Sequence, residues 1–401
     1  MAKDVGHQSF CVSLQSGATL LRGFRCCRRR APRVRGLTRG FIPASLPGFN
    51  RKSGSIPASL PEFNRKGVTR ASWQLAPHWQ RLMMRIIRDI RDVELKAPTV
   101  LTFGVFDGLH LAHQQIMSKV VTRARAAGTP ATVVTFDPHP RAVLHPQTAP
   151  PLLQTFEQKT EGMQRFGIDQ AVVLSFTPEL ARVTAEAFLL DTIFGRLDAR
   201  EVYLGHGFAF GHNREGRFPL LKQVAERLGR TAEEVPEIMI HGHRVSSTMI
   251  RRLLSAGRVN LARRMLGRPY GIESRVIEGR KLGKTQLQYA TANLKPQNTV
   301  IPADGVYITL TLAEGAWRRS VTNIGHRPTF GSEAEVTVET HLVDFDGELY
   351  GEKIRVRFLH RLRSERKFES VEGLRAQIDR DYRRTLRYFE IEAVRRGFEF
   401  R

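Results

Sequence analysis

Cysteine is nearly absent from this 401-residue chain: there are three, Cys11, Cys26 and Cys27, all in its first fifth. A body without cysteine excludes a disulfide framework and fits a reducing, cytosolic setting. No apolar run reaches about 18 residues, which argues against a membrane-spanning helix. Acidic residues are scarce beside basic ones, 39 against 63, for a formal net charge of +24. Such an excess points first to a nucleic-acid partner. Its distribution argues otherwise. Residues 1–82 hold 15 Lys and Arg against only Asp4 and Glu62, so +13 sits there and +11 in all the rest. What remains suits an enzyme that binds anionic phosphates and does not demand nucleic acid.

The first 82 residues differ in kind from the rest of the chain. Residues 42–52 read IPASLPGFNRK and residues 56–66 read IPASLPEFNRK, a repeat too short and too rich in Pro, Gly and Ser to build a packed array. The arginine run before it, RGFRCCRRRAPRVRGLTRG, lacks apolar periodicity. One functional reading is a basic tail for RNA or an acidic surface. The simpler expectation is a disordered extension, or a start assigned too early, with the native chain opening at Met83 or Met84.

From there the pattern is regular. Thr99–Phe106 reads as a buried strand and turn. A helix is expected over Gln114–Ala127, with Ile116, Val120 and Val121 on one face. Strands are expected at Ala131–Phe136, Gln170–Phe176 and Glu201–Leu204, with a last one at Pro236–Ile240. Helices are expected at Thr155–Phe166, Pro178–Phe194 and Leu220–Leu228. Alternating strands and helices argue an α/β domain, a parallel Rossmann-like sheet with its ligand site beyond the carboxyl ends of the strands. After about Pro269 the rhythm changes to strands at Tyr270–Ile277, Val306–Leu312, Trp317–Asn323, Glu335–Val343 and Lys353–Phe358. One helix comes after them, Val371–Glu390, with Leu374, Ile378, Tyr382 and Leu386 at i+4 steps. That implies a small antiparallel β-barrel with a C-terminal helix. The expected division is therefore 1–82, 83–268 and 269–401.

The segment FGVFDGLHLAH joins a strand end, a glycine turn and two histidines three residues apart. A helix starting near His110 would place His110 and His113 on one face of its first turn, beside orphan N–H groups. That is a phosphate site, with Gly104, Phe106 and Gly108 forming its floor and the two glycines letting backbone approach an anion. Two other readings stand beside it: a satisfied core pair, or half of a metal site with Asp137 and His139 of TFDPHP. In VSSTMIRRLL, one of Ser246, Ser247 and Thr248 should cap a helix and Arg251, one turn in, could reach a phosphate. Alone, that would be only a cap.

FGVFDGLHLAH, TFDPHP, GHGFAFG and VSSTMIR, in this order, resemble the FMN adenylyltransferase module of bacterial bifunctional riboflavin kinase/FAD synthetases. GRPYGI, TAN, DGVY, NIGHRPTFG, VETHLVDFDGELYG and IRVRFLHRLRSERKF resemble that family's riboflavin kinase module. The resemblance spans about Met84 to Tyr388. It implies a two-step enzyme: riboflavin and ATP give FMN, then FMN and ATP give FAD. It implies that His110 and His113 contact ATP phosphates, that Ser247, Thr248 and Arg251 hold the nucleotide, and that Asp137 and His139 line the same pocket. Glu339, otherwise an ordinary strand carboxylate, would be the base for the riboflavin hydroxyl. Thr291 and Asn293 would hold Mg²⁺ with ATP, under a loop containing Gly279 and Gly283. Small molecules are the expected partners, with no membrane. A member retaining one activity, more readily adenylyl transfer, is the second reading. A basic RNA-binding protein is the third. The chain departs from the family pattern at Gln288 and Ala290, where glycine and proline are usual, at Ala112 for glycine, and at Gly207 for Asp or Asn. Gly207 is expected to weaken flavin or nucleotide binding.

Overall fold

The computed structural model describes residues 83–88, 98–278, 291–327 and 335–396. All belong to one compact unit, His78–Arg401. The segment 1–82 and the positions Gly279, Gly283, Gln288 and Ala290 lie outside the described residues.

Six strands form one parallel sheet: β1 (Arg85–Ile87), β2 (Thr99–Phe103), β3 (Ala131–Phe136), β4 (Gln170–Leu174), β5 (Ala199–Gly205) and β6 (Thr231–Val235), in the order β1-β4-β3-β2-β5-β6. The central strands are apolar along their length because helices cover both faces. β2 is buried at every residue. The last strand is not at Pro236–Ile240 as the sequence suggests. β6 is TAEEV, an edge strand whose two glutamates, Glu233 exposed and Glu234 half-buried, hide the pattern. Met239–Ile240 instead forms β7 of a small ribbon with β8 (His243–Arg244).

The helices between the strands are α1 (Leu111–Ala127), α2 (Pro140–Leu144), α3 (Phe156–Arg165), α4 (Pro178–Ala181), α5 (Ala185–Ala187), α6 (Phe218–Arg227), α7 (Ser247–Ser255) and α8 (Val259–Leu266). α1 buries Ile116, Met117, Val120 and Ala124, so its covered stripe runs beside Val121 and not through it. α3 begins with a capping box between Thr155 and Gln158. The single helix expected over Pro178–Phe194 is instead α4, α5 and a π-helical stretch Phe188–Arg196. Thr184 caps a fresh start there by accepting from the Ala187 N–H.

The second module is a closed antiparallel barrel of β9 (Tyr270–Ile277), β10 (Ala292–Pro296), β11 (Gly305–Ala313), β12 (Ala316–Arg327), β13 (Glu335–Leu342) and β14 (Lys353–Arg363). β10 was invisible in the sequence: ANLKP offers one large apolar side chain and ends on proline. Fully buried hydroxyls of Thr309, Thr311, Ser320, Thr322 and Thr340 satisfy one another across β11–β13 at 2.7–2.9 Å. Helix α9 (Val371–Arg396) lies on the outside, where Phe389 packs with Ile308 and Leu359. Its most buried row is Gln377, Asp381, Thr385 and Phe389; the expected row of Leu374, Ile378, Tyr382 and Leu386 flanks it, half-buried. Arg363 of β14 explains this, because its Nε donates to Asp381 at 2.8 Å and draws the polar row inward. A single apolar core unites α7 and α8 (Ile250, Leu254, Val259, Met265) with the barrel (Tyr270, Leu294, Tyr307, Phe358).

Candidate active sites

The chain enters the sheet's middle at β2, moves outward through β3 and β4, then returns to the other side of β2 for β5 and β6. The strand order therefore reverses beside β2, and the crevice at its carboxyl end is where such sheets bind ligands. Residues 104–113 occupy that place. The Gly104 N–H extends β2 by donating to the Val134 carbonyl, and the Thr135 hydroxyl donates to the Val105 carbonyl. Phe106, Gly108 and Leu109 all have left-handed backbone, at φ 54°, 88° and 40°. A side chain on Gly108 would overlap Leu153, so this glycine serves the turn and its packing.

His110 is the N-cap residue of α1, without a side-chain capping bond, and His113 lies in the first turn. Their rings stack at 3.6 Å between centroids and 18° between planes, and Phe106 meets His113 edge-on at 5.1 Å. Nδ1 of each histidine is buried with no hydrogen-bond partner among the described residues. Orphaned buried polar atoms are rare in folded proteins. Here two stand together at a helix amino end whose N–H groups are themselves unpaired. Burial, helped by the Arg268 cation, pushes His110 down to about 3. Burial and then the neighbouring His110 hold His113 well below its usual range. Both imidazoles are thus neutral, each with one donor and one acceptor nitrogen.

Asp107, inside the turn, accepts the Leu153 N–H at 3.0 Å and pairs with Arg251. Burial raises its pKa despite these bonds. Arg251 is one turn into α7, as expected, and its Nε donates to the Pro151 carbonyl at 2.6 Å, so two of its three nitrogens are committed within the protein. Ser246 is the cap of α7, accepting from Met249. The Ser247 hydroxyl donates to the Asp107 carbonyl at 2.8 Å, while Thr248 is exposed. The structure therefore brings VSSTMIR onto the histidine turn. His139 caps α2 with Nδ1, and burial, then the Arg251 and Lys159 cations, lower it to about 4. Asp137 is 3.6 Å from Arg88.

Two cations beside this site were not singled out from the sequence. Lys159 donates to Thr135 Oγ1 and the Phe136 carbonyl at the end of β3, at 3.3 and 3.4 Å. Arg268 bonds the carbonyls of Gly108 and Leu109. Lys159 sits in no local motif, and Arg268 sits in GRPYGI, a segment that resembles the kinase module, so only the fold brings them here. Arg244 lies beside Gly207, which is left-handed at φ 71°, and donates to the His206 carbonyl at 2.7 Å. A cleft lined by Met83, Arg125, Thr129 and Asp169 opens at the opposite, amino end of the strands and takes no part in this cluster.

In the barrel, the register settles a second grouping. Glu339 of β13 pairs directly with Asn293 of β10 on one side and Asn323 of β12 on the other. Thr291 precedes β10 and is exposed. Thr337 and Glu339 are half-buried, whereas Val338, Thr340 and Leu342 point into the core, which is the alternation expected. A Cβ on Gly325 would overlap the Glu365 carboxylate, so the segments NIGHR and RSERKF meet here. No group of three His, Cys, Asp or Glu that could cage a metal occurs among the described residues.

The FAD synthetase family matches residues 92–249, and the riboflavin kinase family matches residues 266–389. Over 300 residues the chain is 36% identical to the bifunctional riboflavin kinase/FMN adenylyltransferase of Pseudomonas fluorescens, covering 74% of this chain and 96% of that one. The chain belongs to the bifunctional riboflavin kinase/FMN adenylyltransferase family. The Escherichia coli K12 member is 33% identical over 302 residues, covering 74% and 96% of the two chains. A solved structure from Streptococcus pneumoniae, described as a macrolide-efflux protein, shares the fold at a TM-score of 0.70 and 28% identity, over 76% of this chain and 99% of that one. No helix among the described residues is long and apolar enough to cross a membrane.

Proposed function

We propose that the chain makes FMN in its barrel and FAD at its parallel sheet. The observation that supports the adenylyl site most strongly is the stacked, neutral histidine pair with orphaned Nδ1 atoms at the topological switch. In adenylyl transfer a phosphate oxygen of FMN attacks the α-phosphorus of ATP and pyrophosphate departs. The protein has to align two anions and stabilise the charge that grows between them. His110 and His113 donate to the phosphates as neutral groups, and the first-turn N–H groups of α1 add their dipole. Gly104, Phe106 and Gly108 shape the turn, Ser247 ties it to α7, and Thr248 and Arg251 meet the nucleotide at its rim. Asp137 and His139 line the flavin side.

In the kinase reaction Glu339 accepts the proton of the riboflavin 5′-hydroxyl as its oxygen attacks the γ-phosphorus and ADP leaves. Thr291 and Asn293 offer neutral oxygens on either side of the β10 start. They suit Mg²⁺ arriving with ATP and keeping most of its water. Bound there, Mg²⁺ would offset phosphate charge; the chain supplies the base and the positioning. Gly279 and Gly283 belong to the expected phosphate-covering loop. A body without cysteine and a need for ATP fit a cytoplasmic enzyme, with the basic segment 1–82 dispensable for both reactions.

The test is incubation of the protein with riboflavin, ATP and Mg²⁺, with products separated by chromatography. FAD is the expected product. Glu339→Gln should reduce FMN formation by roughly 10²–10⁴-fold, the usual worth of a general base, and leave FMN adenylylation intact. His113→Ala should reduce FAD formation about 10²-fold and spare the kinase. FMN as the sole product, or full activity in either variant, would contradict the assignment concerned.

A further inference from the structure

The last residue of α8, Leu266, and the first two of the link to β9, Gly267 and Arg268, lie against the amino end of α1; a side chain on Gly267 would overlap Leu111. Arg268 turns back over the phosphate turn. Its Nη2 donates to the Gly108 carbonyl at 3.0 Å, and its Nη1 to the carbonyls of Leu109 at 3.2 Å and Leu266 at 3.4 Å. Gln114 reinforces it, donating through Nε2 to the same Leu109 and Leu266 carbonyls at 2.8 and 2.7 Å. No carboxylate is within ion-pairing distance of Arg268 among the described residues, so its hydrogen bonds go to backbone.

The Gly108 and Leu109 carbonyls belong to the two residues immediately before His110. Gly108 and Leu109 both have positive φ, and for leucine that conformation persists only where the surroundings enforce it. A planar guanidinium spanning adjacent carbonyls supplies that constraint better than a flexible ammonium would. We propose that Arg268 is a positioning residue for adenylyl transfer: from the start of the segment matched to the riboflavin kinase family, residues 266–389, it fixes the turn that presents His110 and His113 to ATP. The kinase half of the chain thereby completes the adenylyltransferase site. This rests on the reading of the histidine pair given above.

The test compares Arg268→Gln, Arg268→Lys and His113→Ala in the full chain, assaying FMN adenylylation and riboflavin phosphorylation on the same preparations and recording Tm. Displacing a catalytic group by about 1 Å can cost on the order of 100-fold, so Arg268→Gln should lower the adenylylation kcat roughly 10- to 100-fold. KM for ATP should move little by comparison, and kinase kcat should stay within about twofold. Arg268→Lys should recover part of the loss, and it decides the matter if the glutamine variant does not fold. Adenylylation unchanged in both Arg268 variants would overturn the proposal. So would a parallel loss of both activities and of Tm, which marks a purely structural role. If His113→Ala leaves adenylylation intact, the histidine reading itself fails; if it cuts adenylylation while both Arg268 variants leave it unchanged, only this inference fails.

Discussion

His110 and His113 are bound into the fold as neutral groups, and that has a cost that shows in acid. The unfolded chain takes up protons on these rings below about pH 6.5. The folded chain does not, because burial has moved His110 to about 3, His139 to about 4 and His113 well below its usual value. Between 6.5 and those values the unfolded state binds more protons, so stability is complete above 6.5 and falls as pH drops. The loss is up to about 1.4 kcal/mol per pH unit for each of His110 and His113, and less for the half-buried His139, whose charge water screens. Asp107 acts in the opposite sense: its raised pKa makes ionisation unfavourable to the fold, over a window that opens at its ordinary value of 3.8. Urea unfolding at pH 7 and pH 5 should therefore show a clear loss of stability, and replacing His110 and His113 by Gln should flatten it. Equal slopes in the two proteins would contradict the burial argument. Gly207 yields a second expectation at this scale. Its φ of 71° is one that asparagine also adopts, and the Arg244 guanidinium is 3.4 Å from where a Cβ would be. Gly207→Asn should fold normally and lower KM for FMN; an unchanged or higher KM would remove Gly207 from the flavin pocket.

Among the elements, the readable ones were those whose burial is apolar. β2, β3, β4 and α1 announce themselves because both faces of the sheet are covered and helix stripes repeat every three or four residues. β6 and β10 did not, since an edge strand can carry glutamates and a barrel strand can hold its place by register alone. α9 was found, yet its buried row was misjudged, because Asp381 goes inside to meet Arg363. That pair is nearly enclosed, so Asp381→Ala, which strands the Arg363 cation, should cost about 3 kcal/mol. Thermal unfolding would measure it; a change under about 0.5 kcal/mol, typical of exposed pairs, would show that the contact is superficial. The catalytic candidates divide in the same way. His110, His113 and Arg251 lie in recognisable segments, and Glu339 and Asn293 became neighbours through strand pairing between residues far apart in sequence. Lys159 carries no local signature, and Arg268 lies in GRPYGI, a kinase-module segment that gives no sign of the adenylyl site; tertiary packing alone brings both there.

For the whole molecule, the consequence is that the parallel-sheet module is tied to the barrel through the two helices that end it. α7 and α8 follow the parallel sheet in sequence and pack with the barrel, and the segment between α8 and β9 touches the phosphate turn. A chain lacking residues 1–82 should keep both activities while losing any affinity for nucleic acid. Everything in the adenylylation account depends on the triphosphate lying at the amino end of α1. A crystal structure of the protein with a non-hydrolysable ATP analogue tests this most directly. The account predicts phosphate oxygens within about 3 Å of ring nitrogens of His110 and His113. Phosphates bound elsewhere on the sheet, with both imidazoles still unpartnered, would contradict it.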